Sequence, residues 1–189
     1  MDDAALLLRQ QALQREADEV VLDLGLDPLL GELGKPVRVG SSALGLMSWR
    51  DLDVTVVCPS LSTGRVLAVV PRLAAHPRVR ELTFRNDTGV WNTDPAYPDG
   101  LYLGLGYRTA AGAAWNVDLW FVDEPDRQPD LDHLRVLPPR LTDAARLTIL
   151  AIKQAWAHQA GYRSIDVYTA VLDDGVQTPE DFETWRAER

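Results

Sequence analysis

The chain has 189 residues, 46% of them hydrophobic, which is enough to bury one good core with at most a small helical appendage. Its net charge of −9 argues against a broad nucleic-acid-binding face, because such binding depends on many Lys and Arg side chains. The lone Cys58 rules out an internal disulfide and a thiolate zinc site, and no apolar run reaches the roughly 20 residues needed to span a bilayer, so we expect a soluble, cytoplasmic protein.

The N-terminal part of the chain predicts a helix followed by a strand and a tight turn. Apolar residues recur at helical spacing over residues 4–24, which predicts an amphipathic helix. A short strand at Val37–Val39 then leads into the turn Gly40-Ser41-Ser42 and a short helical segment around Leu44–Met47. The order strand, tight turn, helix is therefore expected here.

The middle of the chain has the patterns of strands and of one further helix. The β-branched or alternating segments are Leu52–Val57, Val79–Phe84, Leu101–Arg108 and Trp115–Val122. A crossover helix is expected at Ser62–Ala75 and an exposed loop at Asn86–Gly100, which is rich in Asn, Asp, Pro and Gly. The last two strands should form a hairpin.

From Leu141 onward the pattern is helical only. Helices are expected from Thr142 to His158 and over Ser164–Leu172, and a capping box at Thr178–Asp181 opens a third. We therefore predict an α/β (α+β) fold, with a mixed-sheet core over residues 1–135 and a C-terminal helical subdomain over residues 136–189, which would form the far wall of a cleft.

The densest chemical signal is a pair of carboxylates, Asp51 and Asp53, at the start of a predicted buried strand. Side chains at positions i and i+2 of a strand point to the same side, so the two carboxylates project together. Because adjacent carboxylates repel each other, they need a metal or another cation. Oxygen ligands of this kind suit Mg²⁺, which completes its shell with waters and substrate phosphates.

The turn before this strand and a later strand could complete a phosphoryl-transfer site. At Gly40-Ser41 the glycine lets backbone N–H groups approach phosphate oxygens, and Ser41 or Ser42 can donate a hydroxyl hydrogen bond. Asp118, flanked by apolar residues on a predicted strand, is the best candidate for a third carboxylate that binds a second metal and polarises an acceptor hydroxyl.

This arrangement resembles the DNA polymerase β-like nucleotidyltransferase superfamily over roughly residues 37–122. The shared pattern is Gly-Ser, nine intervening residues, Asp-x-Asp on a strand, and a later apolar-Asp-apolar strand. The resemblance implies that Gly40 and Ser41 contact the triphosphate of a nucleoside triphosphate (NTP). It also implies that Asp51, Asp53 and Asp118 bind two Mg²⁺ ions while a nucleoside monophosphate (NMP) passes to an acceptor hydroxyl and pyrophosphate departs.

The helical tail is similar to that of nucleotidyltransferase toxins of the AbiE and MenT type. That similarity implies that Lys153 contacts nucleotide phosphates, that Asp166 lies at the active site and that the acceptor is the tRNA 3′ end. A cognate antitoxin would be the partner of such a toxin, and the sequence leaves its presence open. Other interpretations stay open, since Lys153 could extend its charge to water from the border of its helix and Asp166 could be a favourable first-turn acid.

Three classes of acceptor fit the sequence. They are the tRNA 3′ end, a hydroxyl of an aminoglycoside or lincosamide antibiotic, for which an acidic protein suits a cationic drug, and a protein side chain. An RNA acceptor would need a local positive patch, which we predict in the helical tail at Arg140, Arg146, Lys153 and Arg163.

Overall fold

A mixed five-stranded sheet forms the centre of the computed structural model, which describes residues 2–156 and 163–189. The strand order is β1-β2-β5-β4-β3; β2 and β5 are parallel and the other neighbours are antiparallel. The strands are β1 (Lys35–Val39), β2 (Asp51–Val57), β3 (Val79–Asp87), β4 (Gly100–Arg108) and β5 (Ala114–Val122).

Helices surround this sheet and make up the C-terminal part of the chain. Those of the first part are α1 (Asp3–Leu24), α2 (Leu26–Gly31), α3 (Gly40–Leu44), α4 (Thr63–Ala74) and α5 (Pro129–Val136). The C-terminal ones are α6 (Asp143–Ala155), α7 (Ser164–Leu172) and α8 (Pro179–Ala187). Among the described residues, no helix is long and apolar enough to cross a membrane.

The two faces of the sheet differ in chemistry because side chains alternate along each strand. One face carries the apolar residues of the central strands and packs against α1, α2 and α4 to form the main core. The opposite face, which we call the open face, carries the polar residues of β2 and β5 and the glycines of β4. On β5, for example, Val117 and Leu119 are fully buried, whereas Asn116 is exposed and Asp118 is half-buried.

A second apolar core joins the C-terminal helices to the N-terminal part of the chain. Residues of α6, α7 and α8 pack with Leu6 of α1, Leu44 of α3 and Leu46, all of which are buried. The short helix α3 is therefore held between the sheet and the helical tail. The division of the chain at residue 135 stays a prediction.

The fold class expected from the sequence is confirmed, and so are all five strands. Two helices were not predicted: Asp27-Pro28 lies in the first turn of α2, and Pro129 opens α5. Proline is tolerated there because first-turn N–H groups have no partner within the helix.

Two further boundaries differ from the sequence predictions. The Gly40-Ser41-Ser42 segment is itself the start of α3, and Leu46 and Met47 lie beyond the end of that helix. Helix α6 ends at Ala155, and His158, its expected end, lies outside the described residues.

Candidate active site

The three predicted carboxylates lie together on the open face. Asp53 of β2 is directly opposite Asp118 of β5 in the parallel pairing, and Asp51 is opposite Asn116. Asp51 and Asp53 are two residues apart on one strand, so all three carboxylates project from the same side of the sheet. The sequence prediction that Asp118 lies on a strand neighbouring β2 is therefore confirmed.

This grouping of acids is electrostatically unfavourable without a cation. The pKa of Asp53 is raised to about 8, first by burial and then by the nearby carboxylates of Asp51 and Asp118. The pKa of Asp51 is also raised, by burial and then by Asp118, while a hydrogen bond of 3.3 Å from the indole N–H of Trp49 opposes the shift. A bound cation would relieve both effects.

Gly40 is the residue that lets Asp53 occupy its position. Its φ of +62° lies in the left-handed region, which favours glycine. A Cβ atom at this position would overlap Oδ2 of Asp53 and lie 3.1 Å from its Cγ. The glycine of the Gly-Ser pair is thus required by the carboxylate beside it.

Asp118 is held by a tyrosine that the sequence analysis did not single out. The hydroxyl of Tyr102 on β4 donates to Oδ1 of Asp118 at 2.7 Å. The Tyr102 ring extends over Gly104, where a Cβ atom would lie 2.8 Å from Cζ of Tyr102. Trp120 packs against the same ring, with centroids 5.0 Å apart, and the Arg85 guanidinium lies 4.8 Å from the ring centroid.

Lys153 is fully buried beneath α3. Its Nζ donates to Oγ of Ser41 at 2.6 Å and to the carbonyl oxygen of Leu46 at 2.9 Å. Its ammonium group also lies over the rings of Trp49, at 4.9 Å, and Tyr168, at 5.6 Å. The interpretation that this lysine extends its charge to water is therefore wrong.

Other residues of the predicted site have internal partners. Ser42 is buried and donates to the carbonyl oxygen of Val39 at 3.2 Å. The carboxylate of Asp166 accepts from the backbone N–H of Arg163 at 2.7 Å and so caps the start of α7. Arg50, beside the carboxylates, makes two hydrogen bonds to Glu16 of α1, at 2.7 and 3.1 Å. The role of Asp166 in the active site stays a prediction.

Most of the basic residues proposed for an RNA-binding patch also bind within the chain. Arg140 bonds Asp173 and the carbonyl oxygen of Leu172, and Arg146 donates to the carbonyl oxygen of Leu44 at 2.6 Å. Arg163 lies 3.9 Å from a carboxylate oxygen of Asp166. Together with buried Lys153, Arg140 and Arg146 thus have close partners within the chain, whereas Arg163 is exposed and lies beyond hydrogen-bond distance of Asp166.

The carboxylates fit a metal ion that is bound together with a substrate carrying phosphate groups. Within residues 2–156 and 163–189, no group of three His, Cys, Asp or Glu side chains is close enough to hold a metal ion. Mg²⁺ usually takes one or two protein carboxylates and fills its shell with waters and phosphate oxygens. Paired acids with raised pKa values suit such partial coordination.

Tyr102, Gly104 and Asp130 are the site residues that sequence reasoning missed. Asp130 of α5 lies close enough to Asp53 to contribute to its raised pKa. The signal for the first two was the alternation Gly100, Tyr102, Gly104, Gly106, in which every second residue of β4 is small or polar while the residues between are apolar. Such alternation predicts one strand face without a packed layer.

Several solved structures have a similar fold at low sequence identity. Cid1, described as an RNA terminal uridylyl transferase, aligns with a TM-score of 0.58 at 16% identity over 90% of this chain and 49% of its own. A Cid1 mutant bound to MgATP gives a TM-score of 0.57 at 17% identity over 89% of this chain and 50% of its own. CdnC of E. coli MS115-1, in a complex with HORMA, gives 0.52 at 14% identity over 96% of this chain and 65% of its own.

These similarities show that the chain shares its fold with Cid1 and CdnC, and it spans about half the length of the Cid1 chains. No family model matches the sequence, and no curated protein matches it.

Proposed function

We propose that this protein is a Mg²⁺-dependent nucleotidyltransferase that moves an NMP from an NTP to an acceptor hydroxyl. The observation that carries the proposal is the convergence of Asp51, Asp53 and Asp118 on the open face, beside the Gly40-Ser41 turn. The solved neighbour bound to MgATP supports a nucleotide and a divalent metal as ligands.

In this proposal the side chains bind the metal, position the reactants and take the proton from the hydroxyl group of the acceptor. Asp51 and Asp53 would hold Mg²⁺, which when bound supplies charge neutralisation at the phosphates. Ser41, held from below by Lys153, would present its end of α3 to the triphosphate. Asp118 would accept the hydroxyl proton as the acceptor oxygen bonds to the α-phosphorus and the bond to the departing pyrophosphate breaks.

The acceptor implied by the sequence resemblance is the 3′ end of tRNA, with a cognate antitoxin as partner. The RNA terminal uridylyl transferase activity named for Cid1 supports an RNA acceptor. An RNA would have to displace the internal partners of Arg140 and Arg146, since RNA affinity depends on basic side chains that face phosphates.

A small cationic acceptor, such as the hydroxyl of an aminoglycoside, is the second candidate. It is favoured by the acidic surroundings of Asp118 and by the internal pairing of the basic residues. A protein acceptor has no comparable observation in its support.

Asp53→Asn tests the reaction itself. We expect pyrophosphate release and transfer to fall by at least about a hundredfold, while the melting temperature in metal-free buffer stays the same or rises because a raised-pKa carboxyl has been removed. Asp3→Asn, at an exposed residue of the first turn of α1, is the charge-matched control and should keep wild-type transfer. Retention of more than about a tenth of wild-type activity, under roughly 1.4 kcal/mol in barrier, would exclude Asp53 as a metal ligand.

A further inference from the structure

A shallow trough of about 320 Å³ lies on the open face directly beside Asp118. Its floor is β4 at Gly104 and Gly106, and its walls are Glu81 and Thr83 of β3 and Asn116 and Asp118 of β5. We call it the glycine trough. Any hydroxyl that enters it is next to the carboxylate that the proposed reaction uses.

Only one of the two glycines on the floor of the trough is required by the packing around it. Gly104 is required by Tyr102, whose ring extends over it. Gly106 has no such requirement, because a Cβ atom there would lie 3.4 Å from Cβ and 3.9 Å from the backbone N of Glu81, which are ordinary van der Waals contacts. Glycine in a strand interior weakens the strand, and it often marks a place where a ligand approaches the backbone closely.

The walls of the trough indicate the chemistry of its ligand. Its polar lining consists of two carboxylates, one amide and two hydroxyls, and none of the described residues that line it is Lys, Arg or His. Such a surface offers hydrogen bonds to hydroxyl and amino groups and attracts positive charge, whereas it repels a phosphodiester.

A neighbouring cavity of about 420 Å³ lies beyond the Tyr102 and Trp120 rings, and its lining is acidic as well. Its lining includes the exposed Trp91 and three aspartates, with Arg85 as the one Lys or Arg side chain among the described lining residues. That guanidinium is already paired with Asp87 at 2.8 Å. Aromatic faces and carboxylates together favour a cationic group.

From these observations we infer that the glycine trough is the acceptor site, and that the acceptor is a small cationic molecule carrying both amines and hydroxyls. This inference rests on the proposed nucleotidyl transfer and adds the substrate class. In the balanced step, the acceptor hydroxyl and NTP give the nucleotidylated acceptor, pyrophosphate and one proton.

Gly106→Ala tests the trough without replacing either of its carboxylates. The added methyl group blocks close approach of a ligand to the backbone of β4, so we expect the Kd of aminoglycosides to rise about tenfold. The Kd of a non-hydrolysable NTP analogue should not change, and the melting temperature should stay the same or rise. Gly64→Ala, at an exposed glycine of α4 with no atom within 4 Å, is the matched control and should change neither Kd.

Glu81→Gln tests the role of charge. We expect it to weaken aminoglycoside binding about twofold to fivefold, as for one solvent-exposed ion pair, whereas Glu183→Gln on α8 should have no effect. Calorimetry on the wild-type protein should show binding of aminoglycosides, competition by spermidine, which has amines without hydroxyls, and no binding of sucrose, which has hydroxyls without amines.

The outcomes separate this inference from the proposed function. Aminoglycoside binding that is unchanged by Gly106→Ala and Glu81→Gln, no binding at all, or transfer only to RNA would each overturn the trough as a cationic acceptor site. Binding that depends on the trough while no NTP is consumed with any acceptor would instead contradict the nucleotidyltransferase proposal.

Discussion

Asp53 carries most of the electrostatic cost of the site, and this makes its protonation a measurable quantity. Its pKa of about 8 in the folded, metal-free protein lies well above the value of about 4 of an unfolded chain. Between these two pH values the folded state binds more protons than the unfolded state. The free energy of unfolding should therefore fall as the pH rises from about 4 to 8, and the full cost is present above pH 8.

We predict that Mg²⁺ counteracts the pH dependence of the free energy of unfolding, so that stability falls less with rising pH when the ion is bound. Because Mg²⁺ and a proton compete for the Asp53 carboxylate, the Mg²⁺ concentration for half-maximal activity should fall as the pH rises from 6 to 8. Thermal unfolding from pH 5 to 9, with and without Mg²⁺ and an NTP analogue, measures the effect. Asp53→Asn should flatten the metal-free profile, and an equally steep decline in that variant would assign the proton to another group.

At the residue scale the sequence identified the carboxylates, but for the residues that support them it contained only an indirect signal, the alternation along β4. Strand alternation places Asp51 and Asp53 on one side of their strand. The apolar residues around Asp118 indicate a second buried strand, which was predicted to lie beside the first. The hydrogen bond from Tyr102 depends on the pairing of β4 with β5, where a slip of one residue would turn Tyr102 to the other face. Such a register is fixed by tertiary packing and is not written in a local motif.

At the scale of elements, Lys153 connects α6 to α3. The sequence shows a lysine on an apolar helix, which suits both a helix border and a buried partner, and only the packing of α6 against α3 decides between them. The same holds for α2 and α5, which were not predicted because proline suits a helix within its first turn, and that position depends on where the helix begins.

We predict that Lys153→Met both destabilises the protein and weakens NTP use. Loss of the ammonium leaves the carbonyl oxygen of Leu46 and the hydroxyl of Ser41 without this donor, at a cost of about 1–3 kcal/mol. The KM for NTP should rise because Ser41 loses its support, and chemical denaturation with steady-state kinetics measures both effects. Lys35→Met, at the only other lysine, is the control. Unchanged stability and kcat/KM would show that the buried contacts of Lys153 are dispensable.

At the scale of the whole molecule, the sequence predicted the mixed sheet and the helical tail but not how they share a core. Leu6 lies in the first helix of the chain, yet it packs with the C-terminal helices. Contacts between residues so distant in sequence follow from the fold and from no local pattern. Because of these contacts, α3 and the proposed triphosphate position belong to both parts of the chain.

The charge distribution of the protein predicts that RNA is not the acceptor. With a net charge of −9 and with Arg140 and Arg146 bound to partners within the chain, the predicted RNA-binding patch offers few cations to a phosphate backbone. We expect purified protein with Mg²⁺ and each of the four labelled NTPs to leave tRNA and total RNA unlabelled at low salt, and to label hydroxylated amines. Added salt should raise the KM for these amines, because their attraction to the acidic trough is screened. Labelling of the tRNA 3′ end that falls steeply with salt would instead establish an RNA acceptor, and Arg140→Gln and Arg146→Gln should then each reduce that labelling.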